Sequence, residues 1–209
     1  MSSEFNAVYH HRLRYFLTPQ FDIYRNIRRF VASKEPDWAI DEFLSVLDYG
    51  CGNGVGSLLL KHDGWEIVGI DSDEEAIAFA ADSWGHLVEF KHEDWTARSH
   101  LESSDAARYQ RRYDVVVCLE VIEHVADPLL LLQSLQNACK TKANVFISTL
   151  NHNSQYRKNR GHVGKFHVQD FRFLVEKVFG DVRIFNYDFS EELSDDSTLT
   201  PMLAICQGG

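Results

Sequence analysis

The chain has 209 residues, 44% of them hydrophobic and 25% charged, which suits one α/β domain with a sizeable core. Its formal net charge of −10 argues against sequence-independent binding to nucleic acid, because that binding needs positive charge to displace counterions. Apolar runs stay below the roughly 18 residues that a membrane span requires, and the polar, basic N-terminus does not resemble a signal peptide. These features predict a cytoplasmic protein.

The N-terminal part differs in charge from the rest of the chain. Residues 1–34 hold six Lys or Arg and two Asp or Glu, which leaves a net −14 on the remaining 175 residues. Ile23, Ile27 and Val31 recur at helical spacing, and Pro36 breaks the pattern. We predict an N-terminal helical lid segment over residues 1–35 and one domain over residues 36–209. The basic segment is either a solvated helix face or an arm that contacts the site, an anionic substrate or a membrane surface.

After this segment, strands and helices alternate along the chain. Strands are predicted at 44–48, 66–71, 88–92, 113–119, 144–150, 181–189 and 199–207, and helices at 57–61, 73–83, 128–139 and 167–179. The Val/Ile/Leu runs suit strands buried on both faces of a parallel sheet. The last two strands lack room for a crossover helix between them and must be antiparallel. The pattern predicts an α/β fold with a Rossmann-like, doubly wound sheet and one antiparallel strand.

A glycine-rich turn follows the first strand. Gly50, Gly52 and Gly54 alternate after Asp48, and glycine lets a backbone approach a ligand where a side chain would collide. Asp71 ends the second strand about 20 residues later, where an acid can bind both hydroxyls of a ribose. An acid at a strand end can also precede a helix cap, but the combination with the turn favours ribose binding.

The residues of this turn resemble a known family. Residues 46–54, VLDYGCGNG, resemble the cofactor motif of class I S-adenosylmethionine-dependent methyltransferases, whereas a dinucleotide-binding dehydrogenase would show G-x-G-x-x-G. The resemblance spans about residues 44–150. It implies a seven-stranded sheet of order 3-2-1-4-5-7-6 and S-adenosylmethionine as the cofactor.

The same resemblance implies roles for individual residues. Asp48 would support the methionine end of the cofactor, Asp94 would accept from the adenine amino group, and Trp95 would cover the ring. Leu119, at the end of the fourth strand, would lie close to the cofactor. The predicted cofactor-binding residues are therefore Asp48, Gly50, Gly52, Gly54, Asp71, Ser72, Asp94, Trp95 and Leu119.

The segment after the fourth strand carries the candidate catalytic chemistry. Residues 120–128, EVIEHVADP, resemble the subgroup that includes the ubiquinone-pathway O-methyltransferases, which implies a small-molecule acceptor. Three interpretations of His124 stay open. It could take a proton from an acceptor hydroxyl, since histidine exchanges protons near neutral pH. With Glu120 and Glu123 it could instead ligate a divalent metal, as in small-RNA 2′-O-methyltransferases, or it could belong to a capping and orienting network.

The metal interpretation, which we do not favour, needs a further ligand. His162 and His167 are the candidates, although His167 could simply cap a helix. We predict His124 and His162 as the catalytic residues. The loop around His162 is basic and could hold a carboxylate or phosphate of the substrate, although solvation explains its charge equally well.

Aromatic residues of the N-terminal segment, Tyr24 among them, could shield the sulfonium or pack in the core.

The function expected from these features is methyl transfer to an oxygen or nitrogen of a small molecule. Two other classes of function compete with it. One is a metal-assisted RNA 2′-O-methyltransferase, against which the acidic net charge weighs. The other is a non-catalytic module that keeps the fold as a binding platform.

Overall fold

The computed structural model describes residues 20–34, 43–96, 109–152 and 163–209. Seven strands form one sheet in the order β3-β2-β1-β4-β5-β7-β6, which confirms the predicted fold class and strand order. Strand β7 pairs antiparallel with both neighbours, and the other pairs are parallel. The strands are β1 Leu44–Tyr49, β2 Trp65–Asp71, β3 Glu89–His92, β4 Tyr113–Leu119, β5 Cys139–Thr149, β6 Val182–Asn186 and β7 Met202–Gln207.

Helices cover both faces of this sheet. Their bounds are α1 Gln20–Ala32, α2 Val55–Leu60, α3 Glu74–Trp84, α4 Pro128–Ala138 and α5 Val168–Phe179, and a 3₁₀ turn covers Ile122–His124. Side-chain caps fix two of the helix starts: Asp73 accepts from the Ala76 amide, and Asp127 accepts from the Leu130 amide. Within the described ranges, no helix combines the length and apolar character needed to cross a bilayer.

The two faces of the sheet bury separate hydrophobic clusters. On β4, Val116 and Cys118 pack into the cluster that contains helix α4, while Val115 and Val117 pack into the cluster on the opposite face. Successive side chains of a strand point to opposite faces, so a continuous apolar run is what a strand covered on both sides requires. All four cysteines are buried and free.

Helix α1 is part of this core. Ile23, Ile27 and Val31 are at most 3% exposed and join the cluster that also holds Val46 and Leu60. The helical spacing seen in the sequence is therefore the spacing of a buried face. The predicted boundary between residues 35 and 36 falls outside the described residues, and the lid role of the segment stays a prediction.

Strand β5 begins five residues before its predicted start. Helix α4 runs directly into it at Cys139, and the pairing with β4 shifts register between Tyr113 and Val115. Lys142 there adopts a left-handed conformation, with φ of 65°. The sequence at 139–143 is polar and was not recognisable as a strand, because this end of β5 is partly exposed and irregular rather than an apolar run.

Candidate active site

A cavity of about 350 Å³ opens at the carboxyl ends of β1, β2 and β4. It lies where the strand order reverses between β1 and β4, the position at which open α/β sheets bind ligands. Its lining combines polar and apolar side chains: Tyr49, Gly50, Asp71, Ser72, Asp94, Thr96, Glu120, Val121, His124, Val125 and Ala126.

The glycine-rich turn forms one wall of the cavity. Gly50, Gly52 and Gly54 all adopt positive φ, at 78°, 53° and 80°. A Cβ on Gly50 would lie 2.1 Å from the Val121 side chain, and one on Gly54 would lie 2.5 Å from Phe90. A Cβ on Gly52 would meet no protein atom within 4 Å. Two glycines are thus required by packing, and the third leaves open space beside the backbone.

Asp71 ties this turn to the end of β2. Its Oδ2 accepts from the Gly52 amide at 2.7 Å, and its Oδ1 accepts from the Asp73 amide at 2.9 Å. A carboxylate has about four acceptor positions, so both oxygens can still accept from hydroxyls of a ligand. Asp71 and Ser72 both line the cavity, as a ribose-binding edge would require.

Asp48 lies beneath the turn and does not line the cavity. Its carboxyl is fully buried, and Oδ2 accepts from the Ser57 hydroxyl at 2.6 Å. Burial raises the pKa of Asp48, the bond from Ser57 lowers it and the charge of Asp71 raises it, which together place it at about 7. The support of the methionine end of a cofactor by Asp48 stays a prediction.

The segment after β3 places Asp94 at the cavity. Its Oδ1 accepts from the amide and the hydroxyl of Thr96, at 2.8 and 2.6 Å, so the carboxylate is held by its own turn. Asp94 is exposed at the cavity wall, where an adenine amino group could reach it. That role stays a prediction.

The Trp95 ring lies in the core next to the cavity and is not among the groups that line it. The side chain is fully buried between the rings of Tyr49 and Tyr109, with centroids 5.3 and 4.9 Å away. Its Nε1 donates to Glu93, which satisfies the indole N–H inside the core. The cover of an adenine ring by Trp95 stays a prediction.

Leu119 directly precedes a cavity residue, and its predicted closeness to the cofactor stays a prediction. Its side chain is 7% exposed and belongs to the hydrophobic cluster of helix α1, where Phe146 also lies, and it is not among the cavity residues. The next residue, Glu120, lines the cavity. The sequence analysis also missed Tyr49, Thr96, Val121, Val125 and Ala126. All of them neighbour predicted site residues in the chain, and this adjacency was the available signal.

Two carboxyl groups meet two hydroxyls at the opposite wall. Ser148 donates to Glu120 at 2.9 Å, and Thr149 donates to Glu123 at 3.1 Å, so consecutive residues of β5 hold the two acids that follow β4. Glu120 adopts φ of 57°, which non-glycine residues rarely do. Burial and the adjacent Glu123 carboxyl raise the pKa of Glu120 to about 8.

His124 completes this wall of the cavity. It is the last residue of the 3₁₀ turn, is exposed and lines the cavity with Glu120. The backbone carbonyl of Glu123 accepts from the amides of Val163 and Gly164, at 2.8 and 2.9 Å. The chain that follows residue 162 therefore returns directly beside the acidic pair.

The other histidines considered in the sequence are placed differently. His162 lies outside the described residues. His167 stands at the N-cap of α5, but its side chain makes no capping hydrogen bond, and its ring packs against His152 with centroids 5.1 Å apart. Within the described ranges, no group of three or more His, Cys, Asp or Glu is arranged to hold a metal ion.

Comparison with known proteins places this architecture in a family. A family model described as a methyltransferase domain matches residues 9–178. The ubiquinone biosynthesis O-methyltransferase of Aeromonas salmonicida is 33% identical over 123 residues, covering 56% of this chain and 50% of that protein. The corresponding enzyme of Aliivibrio fischeri is 37% identical over 111 residues, covering 52% and 44%. The chain thus spans about half the length of the curated relatives it matches.

Solved structures share the fold. A TehB-like SAM-dependent methyltransferase from Corynebacterium glutamicum superposes with a TM-score of 0.67 at 18% identity, covering 99% of this chain and 98% of that one. The N-terminal domain of EvdMO1 with SAH bound superposes with a TM-score of 0.61 at 16% identity, covering 89% and 81%. At these identities the likeness concerns the fold alone. Since the family match covers most of the chain, the protein belongs to the methyltransferase domain family, with the fold of the class I S-adenosylmethionine-dependent enzymes.

Proposed function

We propose that the protein binds S-adenosylmethionine over the glycine-rich turn and transfers its methyl group to an oxygen of a small-molecule acceptor. The observation that carries this proposal is the cavity itself. One wall holds the turn and Asp71, and the other holds Glu120 and His124. A cofactor and an acceptor would therefore share one cavity of about 350 Å³. The curated relatives named O-methyltransferases support oxygen as the acceptor atom.

The residues of the first wall fit the cofactor. Open space beside Gly52 admits a ligand against the backbone, and the Asp71 carboxylate is fixed by two amides with acceptor positions to spare. Asp94 offers a further carboxylate along the same wall. A ribose and an adenine amino group both donate hydrogen bonds, so two spaced acceptors match them.

The second wall would bind the acceptor and accept its proton. When bound, the cofactor would supply a methyl group on a sulfonium, from which a neutral thioether leaves. A hydroxyl acceptor loses its proton when it is methylated, and His124, at the cavity wall, would accept that proton. Holding both reactants in line supplies up to about 7–11 kcal/mol of barrier reduction.

A transfer assay with labelled S-adenosylmethionine tests this function. The acceptors are a panel of phenols, hydroxy acids and amines, with a small structured RNA as a separate arm, each with and without a chelator. We expect methylation of one or more hydroxyl compounds, with no chelator effect. Product only on RNA and only without chelator would overturn the proposal in favour of metal-assisted RNA methylation. Cofactor binding with no product on any acceptor would favour a binding module.

A further inference from the structure

The buried acid beneath the glycine-rich turn has an incomplete set of partners. Asp48 Oδ2 accepts from Ser57, but no group in the described part of the chain makes a complete hydrogen bond to Oδ1. A buried acceptor without a partner costs free energy, so such an atom marks a place where a donor is expected. Helix α1, which lies outside the sheet, provides a candidate for this donor.

Tyr24 brings its hydroxyl to this acid. Its side chain is 9% exposed, and its phenol end lies against α2, where a Cβ on Gly56 would be 2.3 Å from Cζ and 2.6 Å from the hydroxyl oxygen. The hydroxyl faces Asp48 closely enough to favour the charged carboxyl and so lower the pKa of Asp48. Gly56 is therefore the residue that admits this tyrosine to the space under the turn.

We propose that Tyr24 is a positioning residue, which holds the Asp48 carboxyl beneath the glycine-rich turn and couples the packing of helix α1 to cofactor affinity. The inference rests on the proposed function, because it requires the cofactor to bind at this turn. Asp48 belongs to β1 and its carboxyl accepts from Ser57 of α2, so it joins the two elements that flank the turn. Tyr24 would act through Asp48 and touch neither reactant.

The test compares three variants with the wild-type protein by titration calorimetry with S-adenosylhomocysteine and by steady-state kinetics. Tyr24→Phe removes only the hydroxyl and keeps the ring on Gly56. Ser57→Ala removes the other partner of Asp48. Tyr187→Phe is the matched control, because Tyr187 packs in the same cluster as α1 and its side chain has no contact with Asp48. We expect Tyr24→Phe and Ser57→Ala each to weaken affinity by roughly two- to tenfold with kcat unchanged.

The pH profile of binding gives a second readout. The groups that face Asp48 are Asp71, Ser57 and Tyr24, and those that face Tyr24 also include Cys51 and Glu120. The charged form of Asp48 should favour the ammonium group of S-adenosylhomocysteine, so affinity should rise as pH increases through about 7. Tyr24→Phe removes a donor to that form and should move the midpoint to higher pH.

Each outcome decides one question. Wild-type affinity and midpoint in Tyr24→Phe would overturn the positioning role, as would an equal loss in Tyr187→Phe. A wild-type protein that fails to bind S-adenosylhomocysteine would overturn the proposed function itself. A loss confined to Tyr24→Phe and Ser57→Ala, at unchanged kcat, supports the coupling.

Discussion

The two walls of the cavity present different groups: mainly main chain on one wall, and ionisable side chains on the other. The wall at β1 and β2 consists of backbone in left-handed turns, fixed by the carboxylate of Asp71. The wall after β4 carries two ionisable side chains, Glu120 and His124, beside the apolar Val121, Val125 and Ala126, and the Ser148 hydroxyl of β5 donates to Glu120. A wall of backbone can recognise a constant ligand, whereas a wall of side chains can be changed one residue at a time. The division suits an enzyme that keeps its cofactor and varies its acceptor.

The largest expected effect comes from removing the proposed proton acceptor, which tests whether the second wall takes part in the chemistry. We expect His124→Ala to lower kcat by roughly 10²–10⁴-fold with a hydroxyl acceptor, because proton transfer in the transition state is lost. Affinity for S-adenosylhomocysteine should stay within twofold of wild type, or about 0.4 kcal/mol. Single-turnover kinetics and calorimetry measure the two quantities. An unchanged kcat would remove His124 from the chemistry, and a matching loss of affinity would show that the two walls are not separate.

The converse change acts on the wall at β1 and β2, which is proposed to bind the cofactor. Asp71→Ala should weaken cofactor affinity by about 1–3 kcal/mol, the range for losing hydrogen bonds to a charged group. Asp73→Ala is the control, since Asp73 caps α3 through the Ala76 amide and should cost stability without affinity. Calorimetry and thermal unfolding separate the two effects. If both variants lost affinity equally, a local unfolding of this strand end would explain Asp71 better than ligand contact.

A single methyl group gives a sharper test of the backbone wall. Gly52→Ala and Gly180→Ala both place a side chain at positive φ with no protein atom within 4 Å of the new Cβ. Each should destabilise the fold, and Gly180→Ala should do so more, because its ψ of −114° lies outside the left-handed helical region. Only Gly52→Ala should also lose cofactor affinity, roughly tenfold, because its methyl occupies space that the ligand needs. Equal affinity in the two variants would place the ligand elsewhere.

The smallest expected effect concerns the acidic wall and pH. The pKa of Glu120 rises from 4.5 to about 8 on folding. Its protonated form therefore stabilises the fold fully below pH 4.5, and that contribution falls as pH rises towards 8, by at most about 1.4 kcal/mol per pH unit for one proton. Glu120→Gln, which cannot ionise, should flatten this slope in denaturant unfolding measured between pH 5 and 8. A slope equal to that of the wild-type protein would show that Glu120 is ionised in the fold at neutral pH.

The sequence predicted the backbone wall better than the side-chain wall, and the reason is physical. Gly50 and Gly54 are required by local φ and by close packing, so their presence is visible in the chain itself. The bonds from Ser148 and Thr149 to the two acids depend on the register between β4 and β5. That register is a tertiary property, which one strand's sequence does not encode.

The placement of Trp95 and Leu119 depends on tertiary structure in the same way. Both residues stand next to true cavity residues, Asp94 and Glu120, but their side chains point into the core. Adjacent residues of an extended segment face opposite ways, so a shift of one position exchanges cavity for core. A motif in sequence locates such a segment without fixing which side of it faces the ligand. His162 lies outside the described residues, and its role stays a prediction.

Backbone hydrogen bonds anchor the main chain on either side of residues 153–162. The His152 amide donates to the Phe166 carbonyl, and the amides of Val163 and Gly164 donate to the carbonyl of Glu123. These bonds do not depend on which side chains lie between them. The interval is therefore a natural exchange point for chimeras, in which the corresponding stretch of a relative replaces it while the acidic pair keeps its place. Acceptor preference could be transplanted in this way without rebuilding the fold.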